Sequence, residues 1–241
     1  VAVGSLANTL SGTGISIGTS QDLTFGAGAG AVTLTFTGAG PHVRDITTAN
    51  ASNTLTLGSN VVMSRNLVHG NGTIALNTFN LSVAGPAPSM GAAAAAITGT
   101  GTLIFNSVGA ATFTLTGAPT IAANVQMNLD LLASTFTLAG TALTVTGNLT
   151  LTRGELVPTT GLNVNGTTLT LAASTAAVVT GAGVVTFASP TTLTVNLSGA
   201  TTFNNLTVNG NVTLAGTAGA LTITNVLTHT TGLINFASRD L

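Results

Sequence analysis

Few side chains in this 241-residue chain could carry chemistry, and their spacing limits what that chemistry could be. The acids are Asp22, Asp45, Asp130, Glu155 and Asp240; the arginines are Arg44, Arg65, Arg153 and Arg239, and lysine is absent. General acid–base catalysis, and glycosidic cleavage above all, needs two carboxylates brought close together. Here three acids lie within two residues of an arginine: Asp45 with Arg44, Glu155 with Arg153, and Asp240 with Arg239. The pattern points to exposed charges that serve solubility. His42, His69 and His229 are isolated, with no acid or second histidine at metal-ligand spacing. Acids are too scarce to build glycine-aspartate calcium repeats. The expectation is therefore no catalytic, no cofactor-binding and no metal-ligating residue, no cofactor and no enzyme.

Weaker patterns read the same way. Gly26-Ala-Gly-Ala-Gly-Ala31 has the glycines of a phosphate loop but lacks the following helix and lysine, so a tight turn or thin strand is expected. Arg65 and Arg153 stand at equivalent places in a repeat, where a third copy has Thr231; solvated turn residues account for them. Sequons occur at Asn50, Asn71, Asn80, Asn148, Asn165, Asn196, Asn205 and Asn211 and are candidates for decoration. Thr-x-Thr pairs begin at 33, 54, 112, 135, 144, 150, 168, 192, 222 and 228. A threonine ladder that orders water needs one pair per coil on one face. Gaps as short as 6 and 9 spread these pairs over different faces, as ordinary outward-facing strand threonine would be.

What must position these residues is β-structure. Leu and Thr alternate in Thr33-Leu-Thr-Phe-Thr37, and again around Leu143, Leu149, Leu169, Leu193 and Leu221, which sends one set inward and the other outward. Strand-sized runs recur at short intervals, divided by Gly or Asn, and no segment has helical period with caps. The Ala92–Ala96 run is too short to nucleate a helix and is expected as strand or turn. Asn60, Asn148, Asn163, Asn165, Asn209 and Asn211 sit at turns, where amides can bond from coil to coil.

Longer text repeats too. Thr33-Leu-Thr-Phe-Thr-Gly-Ala39, Thr112-Phe-Thr-Leu-Thr-Gly-Ala118 and Thr194-Val-Asn-Leu-Ser-Gly-Ala200 are recognisably one heptad, at steps of 79 (112 minus 33) and 82 (194 minus 112). Leu23-Thr24-Phe25, Leu103-Ile104-Phe105 and Val185-Thr186-Phe187 follow suit. Repetition at this scale marks a stacked architecture. The expected fold is all-β: one parallel β-solenoid domain over 1–241, with copies at approximately 15–90, 91–175 and 176–241. Tandem small β-sandwich modules are the alternative. About 20–27 residues per coil would give roughly nine to twelve coils and a rod of some 45–60 Å. The lead-in Val1–Leu10 and the tail Leu233–Leu241 look like strand, with no capping helix.

Composition sets the partners. Charged residues make up 4% and the net charge is −1, so repulsion between copies is small and association is favoured. Nucleic acid would need clustered Lys and Arg, and is not expected. Polar residues interrupt the apolar ones too often for a spanning helix. A membrane β-barrel would want aromatic girdles, and the chain has neither Trp nor Tyr. Cysteine is absent, so neither disulfides nor redox compartment can be inferred. The Val1 start suggests a processed or trimmed N-terminus.

Gly147-Asn-Leu-Thr-Leu-Thr-Arg-Gly-Glu-Leu156, Leu162-Asn-Val-Asn-Gly-Thr-Thr-Leu-Thr-Leu171 and Asn205-Leu-Thr-Val-Asn-Gly-Asn-Val-Thr-Leu214 resemble bacterial secreted β-strand-repeat proteins. These are filamentous-haemagglutinin-like and autotransporter-passenger segments. The resemblance implies a right-handed parallel β-helix displayed outside the cell, with no transferable active-site residues. The expected function is a non-enzymatic subunit of an extracellular, self-assembling filament, sheath or surface layer, with copies of itself as head-to-tail partners. An adhesin stalk, or a face binding ice, glycans or cell surfaces, is the alternative.

Overall fold

The structure is a computed structural model and describes residues 2–3, 8–10, 21–26, 30–36, 42–91, 95–129, 134–172, 178–198, 201–216 and 221–236. Among them there is no helix, and every strand pairing is parallel. Sandwich modules built from antiparallel hairpins are thereby ruled out. The chain winds as a β-solenoid.

One coil shows the plan. Ile46–Thr48 forms the first face, Thr54–Leu57 the second and Val61–Met63 the third. The next coil repeats it as Leu67–His69, Thr73–Ala75 and Leu81–Val83, each strand pairing with its counterpart one coil earlier. First and second faces belong to a 19-stranded sheet and the third to a 9-stranded sheet. Nine third-face strands mark eight turns, and strand pairs to Asn8–Leu10 and Ala2–Val3 carry the stack two coils further. At about 4.8 Å per step the whole stack is roughly 48 Å long, within the expected range.

Alternation builds the core. In Thr54–Leu57 the leucines are buried and the threonines half-buried, and the same pattern recurs in Leu149–Arg153 and Leu193–Leu197. Phe105 comes from the third face, and Phe113 and Phe136 from successive first-face strands. All three are fully buried, with Phe105 ring centroids 5.1 Å and 4.8 Å from the other two. Such tilted pairs add about 0.5–1.5 kcal/mol beyond burial. Ala95 is buried and Ala96–Thr98 is strand, so the described end of the alanine run is extended; 92–94 lie outside the described residues.

The coil length varies. Leu143 faces Leu162, a step of 19 (162 minus 143), whereas Leu169 faces Val195, a step of 26 (195 minus 169). Backbones crowd at the corners. A Cβ on Gly101 would lie 1.9 Å from the Phe79 carbonyl oxygen; one on Gly140, at φ +95°, would lie 2.0 Å from that of Leu115. Only glycine fits there.

The long text repeat does not map onto equivalent positions. The heptads at 33, 112 and 194 enter the second-face strand Ala31–Leu34, the first-face strand Ala111–Leu115 and the third-face strand Leu193–Leu197. The Leu23, Leu103 and Val185 triplets likewise fall on first, third and second faces. The single coil is the structural unit, and each face accepts the same alternating text.

Candidate functional site

Three features could act on something outside the fold: a charged corner, a polar group in the core and an uncovered end.

The described charged residues are Asp22, Arg44, Asp45, Arg65, Arg153 and Glu155, and all six lie at the start of a first-face strand or in the connection leading into it. Asp130 falls in the same kind of connection by its place in sequence, and Arg239 and Asp240 follow the last third-face strand. These three are outside the described residues. Coiling adds partners from neighbouring coils. Arg44 reaches the preceding coil, its Nε donating to Asp22 Oδ1 at 2.7 Å and a terminal nitrogen to Asp22 Oδ2. Its contact with neighbouring Asp45 is looser, at 3.7 Å, and Arg65 approaches Asp45 at 3.8 Å. The Arg44 guanidinium holds the Asp22 carboxyl below its ordinary value. A catalytic acid needs the opposite shift. Glu155 accepts a short hydrogen bond from Thr180 of the next coil. Arg65 and Arg153 both stand at the ends of third-face strands and are exposed; Thr231 ends a second-face strand instead. His42 stacks on Phe36, with ring centroids 4.9 Å apart, and its Nδ1 accepts from the Val62 amide. No three His, Asp or Glu side chains gather in a metal-holding group among the described residues.

Gly26 and Gly30 flank 27–29, which lie outside the described residues; the strand Ala31–Leu34 follows, not a helix. Asparagines do bond along the stack. The Asn80 and Asn148 amides donate to Asn60 Oδ1 at 2.9 Å and Asn124 Oδ1 at 3.1 Å. Asn148 Oδ1 in turn accepts from the Thr168 amide at 3.0 Å, and Asn211 Oδ1 from that of Leu233 at 3.0 Å. Asn163 donates to Thr144 Oγ1 and Asn209 accepts from Thr231 Oγ1, while Asn165 Oδ1 is buried with no partner among the described residues. Sequon asparagines 80, 148 and 211 thus spend their side-chain oxygens on the fold. The Thr-x-Thr pairs are shared out, with 33, 54, 144 and 228 on the second face, 112, 135 and 222 on the first, 150 and 168 on the third, and 192 entering the third.

His69 is the feature that a search for spaced ligands misses. It is 0% exposed. Its Nε2 lies 3.1 Å from the Ala96 carbonyl oxygen and therefore carries a proton, which leaves Nδ1 to accept from Thr48 Oγ1 at 2.5 Å. Burial pushes its pKa down to about 4, against the opposing Ala96 hydrogen bond. The signal was in the alternation: in Leu67-Val68-His69 the histidine takes an inward position.

Among the described residues, the C-terminal end of the stack is uncovered. On the penultimate coil Phe203, Leu206 and Val208 are buried; on the last, the corresponding Ile223 is only partly buried, Leu227 is 50% exposed and His229 is exposed. Leu221, Ile223, Leu227, Ile234 and Phe236 rim an all-apolar depression of about 40 Å³. Leu221–Thr231 pairs with Thr201–Asn209 on one side and with no described strand on the other.

No protein-family model, curated protein or solved structure matches this chain.

Proposed function

We propose that this chain is a non-enzymatic structural subunit of an extracellular filament, sheath or surface layer, joined end to end by strand pairing. The observation that carries this reading is the last coil: an eleven-residue parallel edge beside apolar side chains whose counterparts on the coil before are buried. An unpaired edge of this length is a template for another strand. The occupant it accepts is a parallel coil with inward apolar residues. A second copy can supply one at the opposite end of its described stack, where Ala2–Val3 and Asn8–Leu10 each pair on one side among the described residues. Head-to-tail contacts that do not close generate fibres. The small net charge and the gathering of charges in one corner leave little repulsion between copies. Placement outside the cell rests on the resemblance to secreted β-strand-repeat proteins.

Light scattering and negative-stain imaging across a concentration series test the reading. Rods that lengthen with concentration are expected, and Leu227→Asp, which puts a charge into the apolar rim, should keep the protein monomeric. Unaltered protein that stays monomeric at high concentration refutes it. Labelling of intact cells with an antibody to the chain tests the location.

A further inference from the structure

We propose that His69 is an acid-sensitive latch: protonation of its ring opens the solenoid between the coil that carries Thr48 and the coil that carries Ala96, ahead of the rest of the stack. The latch spans three coils. Thr48 and His69 face each other on adjacent first-face strands, and Ala96 opens the second-face strand of the next coil. Both ring nitrogens are committed, one as donor and one as acceptor. A proton arriving at Nδ1 turns that acceptor into a donor. The Thr48 hydroxyl must then rotate to present its oxygen, and its own hydrogen loses the partner it had inside the core.

Among the described residues the new charge finds no counterion. The described strands that pair with Leu67–His69 or hydrogen-bond its histidine are Ile46–Thr48, Ser89–Met90 and Ala96–Thr98, and none of them carries a titratable side chain. Arg44, Asp45 and Arg65 sit ahead of Ile46 and Leu67, in the corner at the other end of those strands. A buried ion without a partner is strongly disfavoured, so the protonated ring is accommodated by opening. Opening stays local because coils in a solenoid hold chiefly to their nearest neighbours. The depressed folded-state pKa fixes the window. Stability from the neutral ring is complete above about 6.5, drains as pH falls toward about 4, and changes no further below that.

Amide hydrogen exchange between pH 7 and pH 4, corrected for intrinsic rates, tests the latch. Opening of 46–98 should increase on the order of a hundredfold relative to 143–214. His69→Gln, which cannot charge, should abolish that difference. In the unaltered protein, imidazole nitrogen resonances should keep the neutral Nε2-protonated form until the pH approaches 4. A ring that titrates near 6.5 in the folded protein overturns the proposal, as does an acid response that persists in the Gln variant. Should that variant fail to fold, the imidazole titration decides alone.

Discussion

At the scale of single residues, this fold separates side chains that hold coils together from side chains that mark corners. Phe113 stands for the first kind, packed against Phe105 and Phe136 in the core. Phe113→Ala should cost about 3–5 kcal/mol in urea denaturation, since the rigid ladders around it cannot collapse into the cavity. Asn148 stands for the second. Its Oδ1 serves the Thr168 amide and the Thr167 hydroxyl in an exposed corner, where water can substitute. Asn148→Ala should therefore cost only about 1 kcal/mol in the same assay, and Asn148→Asp, which keeps the acceptor, less. The salt bridge of Arg44 and Asp22 is more than a third exposed and contributes little. Its acid sensitivity also differs in cause and in window. Asp22 is held below its ordinary value of 3.8, so its share of stability is lost only as pH falls below about that value. The His69 share is lost above it. The corner asparagines were legible in the sequence because turn chemistry needs few atoms. The Arg44–Asp22 pair was not, because its members sit one coil apart and coil length had to be known first.

At the scale of elements, the coil rather than the long repeat is what folding counts. Strand existence and the inward leucines followed from period-2 alternation around Thr54, Leu149 and Leu193, whereas stacking was read from the repetition, with sandwich modules left as the alternative. The face assignment did not follow, because all three faces want the same text and the coil length varies. The copies that begin at 33, 112 and 194 are not offset by whole numbers of coils, so a heptad on one face reappears on another. A deletion experiment separates the two units. Leu162 stands directly over Leu143, so removal of residues 143–161 lets Leu162 take its place without a change of register. That variant should keep its far-ultraviolet circular dichroism shape and melt cooperatively at a lower temperature. Removal of residues 143–152 alone should instead destroy register on at least one face, and with it the cooperative transition.

At the scale of the whole molecule, the described charges are confined to one edge of the coil while the surfaces between carry Thr, Asn, Ser and Ala. Assembly through the apolar end should therefore be nearly indifferent to sodium chloride between about 0.05 and about 1 M, because there is little long-range repulsion to screen. Sulfate should promote it, by favouring burial of the exposed apolar rim around Leu227. Scattering intensity at fixed protein concentration checks both. A steep dependence on sodium chloride would shift the contact from the end rim to the charged corner.

Uniformly parallel winding gives the molecule a direction. One end of the described stack offers the leading edge of a coil and the other the trailing edge, and no rotation interchanges them. A line of such units built by repeated stacking would carry an arrow along its length. Its two tips would present different surfaces to an arriving subunit, so that growth at each could be blocked separately.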